Sequence, residues 1–178
     1  MKQKLLAFFV IFSLCLLAAS PFLIKIVSAT STDTVAATVT AQIYSVSVAD
    51  GSVDFLTVAQ NSTQDTTTGG VDNSQTATND GSVAAKFNIK AEDSTGGAGW
   101  TLAGAADSET YTMESCTSDC EGTPIWNAVG EDPSYATLAA SVDASNNQVF
   151  DLRVGTPTST TETTEQSITV TVQAVQPD

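Results

Sequence analysis

A two-residue alternation of apolar and polar side chains is the feature that most constrains the fold of this chain. It is clearest over residues 83–91, where the odd-numbered positions are all apolar and Lys86, Asn88 and Lys90 lie between them. Successive strand residues point to opposite faces, so the alternation predicts a strand with one buried and one solvated face. No segment after residue 30 has a sustained helical period, and threonine, serine and valine dominate. The sequence therefore predicts an all-β fold, a single antiparallel β-sandwich of about eight or nine strands.

The first 29 residues have the layout of a secretory signal peptide. Lys2 and Lys4 form a basic start, and residues 5–19 are apolar and uncharged. Val27-Ser28-Ala29 then places small or slim residues at the positions that a signal peptidase reads. We expect cleavage after Ala29 and a secreted protein located at the cell surface.

An uncleaved membrane anchor is the alternative for the same segment. Residues 5–27 are long enough to span a bilayer, and Lys25 is their only charge. Pro21 and Lys25 count against a regular span, so cleavage is the preferred interpretation. It leaves residues 30–178 as one extracellular domain, which is long enough to bury an ordinary core.

Acidic residues dominate the expected mature domain. The whole chain has 20 Asp and Glu residues against 6 Lys and Arg, a net charge of −14, and no histidine. Three of the six basic residues lie in the expected signal peptide, so three remain against 20 acidic residues and the net charge becomes −17. Nucleic-acid binding by phosphate neutralisation is excluded. The lack of histidine excludes His-dependent nucleophiles and His-ligated zinc, so we expect a protein that is not an enzyme.

Cys116 and Cys120 are the two cysteines outside the expected signal peptide, and they enclose only Thr-Ser-Asp. In a secreted chain such a pair predicts a disulfide that pins a loop. A pair at this spacing without a histidine or a second cysteine pair is a poor zinc site.

Calcium is the one cofactor that the sequence makes plausible, because Ca²⁺ takes about six to eight oxygen ligands from flexible loops. The candidate ligands lie in predicted turns and are Asp50, Asp54, Asp72 and Asp80. Their spacing matches no EF-hand, and aspartates also occur in turns because they favour turn geometry. Both interpretations stay open.

Trp126 and Tyr135 are the candidate residues for contact with a glycan. Trp126 lies in an irregular acidic stretch, whereas Trp100 and Tyr111 fall at inward strand positions and are expected in the core. An extracellular module that binds cell-wall or other glycans is therefore the alternative function. Asn61 begins an Asn-Ser-Thr sequon in a predicted loop and is a candidate for N-glycosylation.

The first segment of the expected mature domain, residues 34–48, is uncharged and β-prone. Its apolar residues lie at odd-numbered positions up to residue 43 and then at the even-numbered positions Tyr44, Val46 and Val48. This change of parity predicts a bulge or bend near residue 43. A strand at a free terminus can pair in its own sheet or complete the sheet of a neighbour. The second arrangement is head-to-tail and builds open filaments. The side chains proposed for the exchanged strand are Val35, Ala37, Val39, Ala41 and Ile43.

Two stretches resemble known secreted families. Thr40–Phe55 (TAQIYSVSVADGSVDF) and Thr78–Ile89 (TNDGSVAAKFNI) resemble the layout of TasA/camelysin-type biofilm filament proteins and archaeal bundling pilins. The resemblance implies a jelly-roll-like sandwich that self-associates into a pilus-like or biofilm-matrix filament by donor-strand complementation, with no catalytic residues.

A third stretch, Asp93–Leu102 (DSTGGAGWTL), is similar to the Gly-rich Trp-x-Leu stretch of WxL cell-wall-binding domains. Those domains usually carry a second Trp-x-Leu near the C-terminus, where this chain reads Thr169-Val170-Thr171-Val172.

Overall fold

A computed structural model describes residues 31–178 of this protein. Residues 1–30, with the expected signal peptide and the cleavage position after Ala29, lie outside the described residues. The chain divides into two units at Val39. In the first unit, residues 31–39 contain no strand and are exposed. The second unit, Thr40–Asp178, contains all the strands described below.

The described residues form eleven strands and no helix, which confirms the all-β prediction. Accordingly, no helix within residues 31–178 could cross a membrane. In chain order the strands are β1 (Val46–Ala49), β2 (Thr63–Asp65), β3 (Gln75–Asn79), β4 (Ala85–Ala91), β5 (Thr101–Leu102), β6 (Thr110–Cys116), β7 (Asn127–Ala128), β8 (Gly130–Glu131), β9 (Ala136–Val142), β10 (Asn147–Gly155) and β11 (Val170–Val175).

The strands form two sheets. The larger sheet has the order β1-β3-β10-β6-β5, with β2 also paired to β10 and β7 also paired to β6. In the smaller sheet, β4 pairs with β11 on one side and with β9 and β8 on the other. The pairings are antiparallel except for the short β4–β8 and β5–β6 contacts, which are parallel.

The alternation in residues 83–91 is realised in β4. Ala85, Phe87, Ile89 and Ala91 are fully buried, and the polar residues between them lie on the outer face. They share one core with residues of the larger sheet such as Tyr111. Because a single buried cluster takes members from both sheets, the sheets pack face to face as a sandwich.

The N-terminal region differs from the sequence-based expectation. A strand was expected over residues 34–48, and only its last three residues form one, as the start of β1 (Val46–Ala49). Residues 53–58, which follow β1, form no strand, although Val53 and Phe55 pack against the core. Three short strands, β2, β7 and β8, occur where no strand was expected. They are only two or three residues long, which is too short for a two-residue period to be recognised.

Candidate functional site

Residues 31–43, here called the N-terminal segment, present apolar side chains to solvent. Val35 and Val39 are 94% and 96% exposed, and Ile43 is 57% exposed. Ala37 and Ala41, which share their parity, are exposed as well. Single exposed apolar residues are ordinary, but here they alternate along a stretch with no charge between Thr34 and Ala49. The segment therefore has the pattern of a strand without the pairing of one.

The C-terminal end of the segment is fixed to the turn that follows β3. The Ser82 amide donates to the Ile43 carbonyl at 2.9 Å, and the Ile43 amide donates to the Ser82 hydroxyl at 3.1 Å. The Asp80 amide donates to the Ser45 carbonyl at 3.1 Å. Tyr44 packs against the core. The parity shift seen in the sequence thus coincides with the point at which the chain joins the sandwich.

Trp126 is half-buried and lies against a charged pair on the larger sheet. The guanidinium carbon of Arg153 is 4.8 Å from the centre of the Trp126 ring. Arg153 in turn donates to Glu114 from Nε at 2.8 Å and from Nη2 at 2.7 Å. The neighbouring Ile125 is 73% exposed. This arrangement holds the indole in one orientation with part of its surface open to solvent.

Tyr135 is exposed and directly precedes β9 of the smaller sheet. The Lys90 ammonium is 5.4 Å from the centre of its ring, bonds to Asp132 and lies 3.8 Å from Glu92. The hydrogen bond with Asp132 raises the pKa of Lys90. The two candidate glycan contacts therefore sit on different sheets, each beside its own cation.

The disulfide prediction is confirmed. Cys116, the last residue of β6, is bonded to Cys120, and their Cα atoms are 5.8 Å apart. Within the loop, Asp119 accepts hydrogen bonds from the Thr123 hydroxyl at 2.6 Å and the Thr123 amide at 3.1 Å. These bonds lower the pKa of Asp119. The disulfide and the carboxylate together fix this loop.

The candidate calcium ligands do not form a cluster. Within residues 31–178, no group of three or more His, Cys, Asp or Glu side chains could hold a metal ion. The Asp54 carboxylate accepts from the Leu56 amide at 2.8 Å, and Asp50 has a φ of 71°. Both are turn features. Asp72 and Asp80 are exposed. Calcium binding stays a prediction for this chain.

Asn61 is exposed two residues before β2, with a φ of 52°. Its backbone amide donates to the Pro157 carbonyl at 2.8 Å, so the turn is held in place. The side chain is thus presented at the surface of a turn, as a glycosylation acceptor requires. The modification itself stays a prediction.

Asp151 is a buried carboxylate that the sequence did not single out. It is 5% exposed and accepts hydrogen bonds from the hydroxyls of Thr66 and Ser74, both at 2.7 Å. Asp151 alternates with the buried residues of β10 in the same way as the half-exposed Val149 and Arg153, so the strand pattern places it on the solvent-facing side of the sheet. The segment between β2 and β3, which is distant in sequence, covers it there.

Trp100 and Tyr111 lie in the core region, as expected. Tyr111 is fully buried, and its hydroxyl donates to the Glu92 carbonyl. Burial raises the pKa of Tyr111 far above its usual range. Trp100 packs against the core and donates from its indole nitrogen to Thr160 at 3.0 Å.

A comparison of the chain with protein families and with curated proteins finds no match.

Proposed function

We propose that the protein is a secreted structural subunit of the cell surface. It assembles with copies of itself into a pilus-like or biofilm-matrix filament by donor-strand complementation. One observation carries the proposal: the N-terminal segment alternates like a strand, has no charge from Thr34 onward, and leaves Val35 and Val39 almost fully exposed. Because Val46–Ala49 already pair with β3, the exchanged stretch ends before Val46.

Burial of the segment in a neighbour supplies only part of the free energy that assembly requires. Each Val or Ile side chain that moves from water into an apolar site contributes about 1.5–3 kcal/mol. Ordering the backbone costs about 1–2 kcal/mol per residue, so burial of three large side chains does not suffice alone. The strand hydrogen bonds, worth about 1 kcal/mol each, have to add to it. The proposal therefore requires an open sheet edge as the acceptor.

Charge explains why this segment in particular is suited to exchange. With a net charge of −17, the expected mature domain repels its own copies at low ionic strength. A strand without charge can approach a second copy without adding to that repulsion. It also carries none of the lysines or prolines that keep ordinary edge strands from pairing.

The test compares two double variants with the same added charge. Val35→Asp/Val39→Asp places two carboxylates on the face expected to be buried in the neighbour. Thr34→Asp/Thr38→Asp places them on the opposite face of the same segment. All four positions are exposed, so neither variant should change the stability of the sandwich. Concentrated protein is examined by negative-stain electron microscopy, with and without millimolar Ca²⁺ and at several salt concentrations.

We expect filaments of the unchanged protein and of the threonine variant, and dispersed monomers of the valine variant. Filaments of the valine variant would mean that this face is not buried on assembly. Monomers of the unchanged protein under every condition would remove the filament proposal.

A glycan-binding module remains the second candidate, because Arg153 holds the half-exposed Trp126 in one orientation. The test measures how much of each variant is retained on cell-wall glycan. Trp126→Ala is compared with the control Ile125→Ala, which removes an exposed apolar neighbour. A loss of retention confined to Trp126→Ala supports this function. Equal retention of both variants and of the unchanged protein counts against a role for Trp126.

A further inference from the structure

β11 is an edge strand whose inward side chains are incompletely covered. Among residues 31–178 it pairs only with β4. Its inward residues Val170, Val172 and Ala174 lie opposite Ala91, Ile89 and Phe87, all of which are fully buried. The three residues of β11 are nevertheless only partly buried. Solvent therefore reaches the core side of this strand.

The edge strand of the larger sheet has the same property. β1 lies beside β11, so the two sheets end on the same side of the sandwich. Val46 and Val48 face inward, opposite the buried Asn79 and Ala77, yet are themselves only partly buried. We call the opening between these two edge strands the β1–β11 seam.

The opposite edges of the two sheets are better covered. Leu138 and Val142 of β9 and Leu102 of β5 are buried, although Ala136 and Ala139 of β9 are only partly so. A further strand at the seam would cover the partly exposed inward valines of both edge strands. β11 itself carries no charge or proline that would block pairing.

We propose that residues 34–42 of a second copy add as a strand to the free edge of β11, with their odd-numbered side chains in the β1–β11 seam, while Ile43 stays bound to Ser82 of its own copy. This inference rests on the filament function proposed above and names the acceptor of that assembly. Nine extended residues span about 30 Å and β11 about 20 Å, so the segment is long enough to pair with the whole strand. Both partners are uncharged, whereas the domain as a whole carries a net charge of −17.

The test is site-directed crosslinking of the purified protein with a short bismaleimide. One variant carries Thr38→Cys and Gln173→Cys, which combines the segment with the outer face of β11. The matched control carries Thr38→Cys and Thr137→Cys, which combines the segment with β9 at the other edge of the same sheet. All three positions are exposed, and Cys116 and Cys120 are occupied by their own disulfide.

We expect a ladder of covalent oligomers from the Gln173 variant and at least about tenfold less from the Thr137 variant. An equal ladder from both variants, a ladder from the Thr137 variant alone, or crosslinks confined to single chains would each overturn the acceptor assignment. Filaments that form without any crosslink at Gln173 would overturn it too and leave the filament function standing. A failure of the unchanged protein to form filaments would instead remove the proposed function itself.

Hydrogen exchange provides a second measurement without substitutions. The amides of β11 should exchange at least about tenfold more slowly in filaments than in monomers, and those of β9 should not change. Protection of β9 without protection of β11 would contradict the proposal.

Discussion

Ile43 and Ser82 bind each other through two hydrogen bonds, one from the Ser82 amide to the Ile43 carbonyl at 2.9 Å and one from the Ile43 amide to the Ser82 hydroxyl at 3.1 Å. They are 39 residues apart in the sequence. The pair marks where the N-terminal segment leaves the sandwich. The apolar side chains before it are exposed, and Tyr44 after it packs against the core.

Gly81 should be required for this attachment. A Cβ at position 81 would lie 2.3 Å from the Ile43 carbonyl oxygen and 2.9 Å from the Asn79 side-chain oxygen. We expect Gly81→Ala to lower the free energy of unfolding by about 1–3 kcal/mol, since the backbone has to move. Urea unfolding measures the change. Gly104→Ala is the control, because a Cβ there meets nothing within 4 Å, and an equal loss in the two variants would contradict the steric explanation.

Assembly should depend on ionic strength. The uncharged segment supplies the attraction, while the net charge of −17 supplies a repulsion that salt screens, with a Debye length of about 10 Å at 0.1 M and 30 Å at 0.01 M. We expect light scattering to report little assembly at about 10 mM salt and progressively more up to about 0.5 M. If magnesium and calcium at equal concentration act alike, the ions act by screening. A specific calcium requirement would point to a bound ion instead.

Glu109 should contribute to the loss of stability in acid. It accepts hydrogen bonds from the Thr160 hydroxyl and the Thr161 amide, both at 2.6 Å, and these lower the pKa of Glu109. The contribution is therefore present above the unfolded pKa of about 4.3 and is lost as the pH falls through the lower folded pKa. We expect Glu109→Gln to lower the Tm at about pH 6, and the difference from the unchanged protein to shrink as the pH falls through the folded pKa of Glu109.

The control for this pH dependence is Glu121→Gln at an exposed position, whose Tm difference should stay constant over the same range. A constant difference for Glu109→Gln as well would show that its hydrogen bonds do not favour the ionised carboxylate.

Arg153 and Trp126 should be energetically coupled. A cation over an indole at an exposed site contributes about 0.5–1 kcal/mol. We expect a double-mutant cycle of Arg153→Ala and Trp126→Ala, measured by urea unfolding, to give a coupling energy of that size. The control cycle pairs Trp126→Ala with Lys86→Ala on the other sheet and should be additive. Additivity in both cycles would contradict the stacking interaction.

The disulfide should act locally. Closing a loop of about five residues contributes about 2 kcal/mol in the chain-entropy account. We expect Cys116→Ala/Cys120→Ala to remain folded with a loss near that value, measured by urea unfolding. Ser118→Ala in the same loop is the control and should change little. Complete unfolding of the double variant would mean that the disulfide holds more than its own loop.

The sequence by itself determined the fold class and the clearest strand. In β4 the alternation placed Phe87 and Ile89 in the core, because the two-residue period of a strand is a local property of the backbone. The disulfide could also be predicted, because Cys116 and Cys120 are so close in sequence that their pairing does not depend on how the rest of the chain folds. Likewise, the change in alternation after Ile43 could be recognised from the neighbouring residues alone, and it falls where the chain joins the sandwich.

Only the tertiary structure decided which β-prone stretches became strands. Residues 34–43 alternate much as β4 does, yet they form no strand, because a strand needs a neighbour and sequence alone does not supply one. The same holds for Asp151, which its strand parity placed on the wet face and which distant Thr66 and Ser74 cover and bind. The open β1–β11 seam arises in the same way, since it depends on which two edges the chain topology places side by side.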